Sequence, residues 1–142
     1  MQFHSVYQIV SLVMLATACS VALWRGGPSE RIAAAAMAAA WFATPFVESD
    51  GQQVGAQLGV LMVDIALLAV LLALALRSTR WWPMWAAAFH GVGALMHLSA
   101  AIDVQIDPRA YFVGLNTISY LTMGALLWGA ARRAREGRRG AA

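Results

Sequence analysis

Residues 54–76 read VGAQLGVLMVDIALLAVLLALAL, an apolar run with a single ionisable side chain, Asp64. The run exceeds the roughly 20 apolar residues that a helix needs to cross a ~30 Å hydrocarbon layer. A carboxyl group in hydrocarbon is costly, so Asp64 is expected to face the protein interior and to have a partner there. The next apolar run holds His90 and His97, the obvious candidates.

The same reading extends outward to four more segments. Helices are expected at about residues 6–24, 30–47, 54–76, 81–102 and 109–131, with a basic tail at 132–142. Of the 142 residues 61% are hydrophobic and 12% charged, which leaves no room for a separate soluble domain. Soluble domains carry about 25% charged residues. The expectation is an all-α polytopic membrane protein, one five-transmembrane-helix bundle over residues 1–131. The turn signals agree. Gly26-Gly27-Pro28-Ser29 separates the first pair, with Ser29 as a helix cap, and Glu48-Ser49-Asp50-Gly51 makes a polar turn. Ser78 or Thr79 is expected to cap the fourth helix, whose Pro83 falls in the tolerant first turn. Asp107-Pro108 reads as a cap followed by proline at the first helical position. Cys19 is the single cysteine, so no internal disulfide forms. It follows a stretch that loosely suggests a lipoprotein cleavage site, but residues 1–5 lack Lys and Arg and the chain stays apolar beyond it, so an uncleaved first helix is expected.

Arginine placement sets the expected orientation. With the N-terminus outside, the inner side holds Arg25, Arg31, Arg77, Arg80, Arg132, Arg133, Arg135, Arg138 and Arg139, and the outer side holds Arg109 alone. The positive-inside rule therefore puts the N-terminus in the periplasm and the C-terminus in the cytoplasm. Trp24, Trp81, Trp82, Trp85 and Trp128 fall near the inner helix ends, where indole rings favour the headgroup zone. The net charge of +3 belongs mostly to the tail and gives no reason to expect nucleic-acid binding. Arg132, Arg133, Arg135, Arg138 and Arg139 instead suit anionic lipid, or an acidic partner surface.

Ala86, His90, Gly93, His97 and Ala100 recur in steps of four and three and so share one stripe of the fourth helix. Its small residues, together with the Ala87 and Gly91 pair, admit a close helix neighbour. Gln57 lies on the Asp64 face, and further polar residues come from the fifth helix (Asn116, Ser119, Tyr120) and the first (Gln8, Ser11). Asp64, His90, His97, Asn116 and Tyr120 are expected to form an interhelical polar cluster or a proton relay. No metal site is expected, because no Cys/His set has ligand spacing. His90 and His97 are about 10 Å apart on one helix side, which rules out both clamping one haem. A single-histidine pigment or haem ligand stays open at either position, and His4 reaches at most His97. No nucleophile stands in a recognisable motif beside a base, so an enzyme is not expected.

Residues 74–87, LALRSTRWWPMWAA, with Val63-Asp64 upstream and His97-Leu98 downstream, resemble a group of small polytopic inner-membrane proteins of Gram-negative bacteria. The likeness covers roughly residues 20–130, implies a bacterial inner membrane and carries over no activity. The first functional expectation is a small accessory subunit packed against other membrane protein subunits, with an energy-converting complex as one such setting. A proton-coupled carrier or channel comes second, and a cofactor-, pigment- or lipid-binding module third.

Overall fold

A computed structural model describes residues 2–47, 58–102 and 106–139, with side chains from Tyr7 onward. Five helices follow one another: α1 (Gln2–Arg25), α2 (Pro28–Val47), α3 (Leu58–Arg77), α4 (Trp82–Ile102) and α5 (Pro108–Arg139). The expected turn at Glu48 to Gly51, the Gln57 position and the His4 side chain lie outside the described residues. Each helix packs on the next, and α5 closes back onto α1, with a smaller α2–α5 contact across the ring. Sequential neighbours run antiparallel, so the odd helix count leaves α1 and α5 parallel.

Four of the helices, α1, α3, α4 and α5, are long and apolar enough to cross a membrane. The α2 helix matches α3 at 20 residues, yet Ser29, Glu30 and Arg31 in its first turn and an alanine-rich body make it less apolar. The expectation of five spans is therefore met by composition in four. A second departure concerns the tail, which continues α5 without a break to Arg139. Alanine and arginine are good helix formers, and Arg132 Nε donates to Glu136 Oε1 one turn on at 3.1 Å.

The centre of the ring is built from small side chains. Ala22, Ala33, Ala34, Ala86 and Ala130 are fully buried, along with Leu71 and Leu126. Outward positions are the reverse: Phe42, Phe46, Leu76, Leu95 and Ile102 are all exposed. A soluble monomer rarely shows so much apolar surface. An apolar exterior around a small-residue interior is the pattern of a helical membrane bundle. The α4 stripe behaves as expected, with Ala86, Gly93 and Ala100 buried. A Cβ on Gly91 would touch Leu68 of α3, and one on Gly93 would touch Ile118 of α5. Both small-residue faces of α4 are thus filled from within the bundle.

The end where α1 and α5 finish is locked by a group that the sequence did not reveal. Glu30 is 1% exposed. Its Oε2 accepts from Gly27 N–H at 2.9 Å and its Oε1 from Trp82 Nε1–H at 3.0 Å. The first of these is half of a capping box, with Gly27 as the N-cap, Pro28 first in the helix and Glu30 third. Ser29 is accordingly inside α2 rather than its cap. Trp82 is a second correction: it is 4% exposed, whereas Trp24, Trp81, Trp85 and Trp128 project outward as expected. Its indole lies on Gly129, where a Cβ would come within 2.5 Å of the ring. Ser78 also takes another role, accepting from Arg80 N–H within the turn before α4. Asp107 caps α5 as expected, its Oδ1 accepting from Arg109 and Ala110 N–H at 2.9 Å each.

Candidate functional site

Asp64 lies one and a half turns into α3, and its side chain points into the seam with α4. Its Oδ2 is 3.0 Å from His97 Nε2, and its Oδ1 is 3.8 Å from His90 Nε2. His90 Nε2 also lies 3.1 Å from the Asp64 backbone oxygen. One residue thus engages both imidazoles, which stand seven positions apart on α4. Both histidines named as candidate partners lie beside Asp64 in this geometry.

The structure adds a member from α5. Tyr111 Oη is 2.6 Å from His97 Nδ1, and the two rings meet edge to face. Tyr111 is buried beside His97, so the group runs Tyr111, His97, Asp64, His90 across three helices. One tautomer satisfies every contact: both histidines carry the proton on Nε2, which donates to Asp64, and His97 Nδ1 accepts from the tyrosine hydroxyl. His97 then has no ring nitrogen left for a haem or pigment metal unless one of these bonds breaks. Tyr111 was missed because it reads as an ordinary aromatic near a helix start. Its depth was the available signal: it sits three residues into α5, and His97 sits five residues before the end of α4. Across an antiparallel pair those positions are level.

Asn116 and Tyr120 do not join this group. They form a second one with Ser11 of α1, whose Oγ is 3.4 Å from Asn116 Oδ1 and 3.2 Å from Tyr120 Oη. Asn116 also donates from Nδ2 to Phe112 O at 2.8 Å. The single polar cluster expected over five positions is therefore two. The physical cause is rotation: Asn116 and Tyr120 share the α5 face that meets α1, whereas Tyr111 lies on the face that meets α4. Gln8 is exposed, outside either group.

Among the described residues, every fully buried side-chain nitrogen or oxygen has a partner. No group of three or more His, Cys, Asp and Glu is placed to hold a metal ion among those residues. At the opposite end, Arg80 Nη2 donates to Glu136 Oε2 at 2.9 Å, tying the α3–α4 turn to the end of α5. Arg132 shares Glu136, and Arg133 lies against Gly27, where a Cβ would come within 2.5 Å of its guanidinium carbon. Arg135, Arg138 and Arg139 are exposed.

Fold and site together define the class: a polytopic α-helical membrane protein with a carboxylate, imidazole and phenol group in its interior. Compared with protein-family models, curated proteins and solved structures, the chain matches none.

Proposed function

We propose that the chain is a multi-pass protein of a bacterial inner membrane, N-terminus outside and C-terminus in the cytoplasm, whose Asp64 centre accepts and passes on protons. The observation that carries this reading is the continuous contact from Tyr111 through His97 to Asp64, at 2.6 and 3.0 Å, inside an apolar bundle. Ionisable groups placed there normally mark ion or proton pathways. The orientation is supported by Arg109 being the one arginine of ten at the end where α1 begins.

The chemistry follows from the atoms. A proton arriving at the Tyr111 end adds to His97 Nδ1, and the tyrosine hydroxyl turns to accept from the new N–H. The imidazolium then releases its Nε2 proton to Asp64 Oδ2, leaving a neutral ring and a neutral carboxyl. His90, about 10 Å deeper by the helical rise, is next in line. It takes the proton at Nε2 only after its own ring proton has shifted to Nδ1, because Nε2–H faces Asp64 in the resting arrangement. The path thus leads from one surface toward mid-depth. Purified protein in vesicles, given an acid jump on the Tyr111 side, should take up protons faster than protein-free vesicles do. Equal rates would reject the proposal.

The accessory-subunit reading becomes second. The α4 small-residue stripe, which suggested a docking face, packs inside the chain instead. What supports a partner is the apolar exterior, where Phe46 is 89% and Leu76 86% exposed. In mild detergent a subunit should migrate with larger membrane proteins on native gels, and a lone monomer or homodimer would count against it.

A further inference from the structure

At the end where α1 and α5 finish, a cleft of about 740 Å³ lies between the α1 terminus, the α3–α4 turn and the last turns of α5. Its walls carry Arg25, Arg80, Arg133 and Arg138, with Trp24 at the side and Glu136 as the one acid. Four guanidinium groups against one carboxylate leave an excess of three positive charges, and that carboxylate is already engaged by Arg80 and Arg132. The cleft is also built rather than assembled by chance from a loose tail. Arg80 is fixed by Glu136, and Arg133 rests on the bare backbone of Gly27. Arg25 stacks on Trp24 at 5.6 Å, and that indole is 80% exposed.

We infer that this cleft binds a phosphate anion, of the kind carried by an anionic phospholipid headgroup. Guanidinium forks match phosphate oxygens in pairs. Basic pockets between helices at the cytoplasmic surface bind the headgroups of lipids such as cardiolipin. An exposed indole beside the arginines suits the headgroup layer, where Trp is enriched. Four arginines gathered around one open cleft suit a compact phosphate, which guanidinium forks engage in pairs, more than an extended acidic protein surface. The inference rests on the membrane reading above in one respect, that this end lies at a bilayer surface.

The test is lipid retention by the purified full chain in detergent, read by native mass spectrometry with cardiolipin or phosphatidylcholine added at equal concentration. Cardiolipin should be retained at least about tenfold better, a factor that one or two of the four arginines would supply. Arg25→Gln with Arg133→Gln should remove most of that preference. Arg135→Gln with Arg139→Gln removes the same charge outside the cleft and should leave it intact. Gly27→Ala keeps every charge but pushes the flexible end of Arg133 aside, so it should weaken retention without unfolding the protein. Equal loss from both arginine pairs would overturn the site in favour of bulk charge, as would the absence of any cardiolipin preference. Displacement by millimolar pyrophosphate would support the phosphate site and assign it a soluble ligand. Displacement by a glutamate decapeptide but not by pyrophosphate would overturn it. Retention in detergent does not depend on which side this end faces. Labelling of a cysteine introduced by Ala142→Cys in intact cells reads the orientation separately, so the two failures are distinguishable.

Discussion

Glu30→Ala is expected to lower the stability of the folded bundle by about 3 kcal/mol, because it strands two buried donors and opens a void. The donors are Gly27 N–H and Trp82 Nε1–H, and each has Glu30 as its partner. An orphaned buried donor costs about 1–3 kcal/mol, well above the average worth of a made hydrogen bond between membrane helices, near 0.6 kcal/mol. Glu30→Gln keeps the volume and one acceptor oxygen but sets an amide N–H₂ against one donor, so a loss of about 1–2 kcal/mol is expected. Unfolding of the purified protein by titration with a denaturing detergent gives both values. Equal stability of wild type and Glu30→Ala would show that the α1–α2 turn and α4 do not depend on this contact. The effect should also propagate. With Glu30 gone, the Trp82 indole loses its hydrogen bond and is held over Gly129 by packing alone, so fluorescence of that buried tryptophan should shift to the red.

Asp64→Asn is expected to bring vesicle proton uptake down to the protein-free rate while the bundle stays folded. The amide oxygen still accepts from His97 Nε2–H, so the contact that joins α3 to α4 survives. An amide does not take up a proton near neutral pH, so the route beyond His97 is closed. Tyr111→Phe makes a graded companion. It retains the ring that packs edge to face on His97 but removes the hydroxyl at the entrance, so uptake should slow without stopping. A wild-type rate in Asp64→Asn would leave the polar set as a structural bond between three helices. Folding of each variant is checked by its helical circular dichroism signal.

Much of this architecture was legible along the chain. Turn residues and caps marked where α2 and α5 begin, because Gly26-Gly27-Pro28 and Asp107-Pro108 are stops that act locally, whereas the end of α5 runs eight residues past the expected 131. The α4 stripe was legible because its small and polar residues stand out at helical spacing, and Asp64 because a lone acid in an apolar run demands a partner. Glu30 escaped notice for the opposite reason. An acid in the first turn of a helix looks like ordinary dipole complementation, and only the fold covers it with Trp82 and Gly129.

The sequence by itself determined that the chain is helical, that its apolar segments suit a membrane, that its arginines gather at one end, and that Asp64 needs a partner, with the histidines of α4 as candidates. Only the tertiary structure decided which side of each helix faces inward. In a soluble helix the polar face marks the outside, but here lipid is as apolar as the core and both sides of a helix read alike. Rotation was therefore free until the helices met. Their meeting brought Tyr111 to His97, sent Asn116 and Tyr120 to Ser11, and drew Trp82 from the expected headgroup belt into the interior.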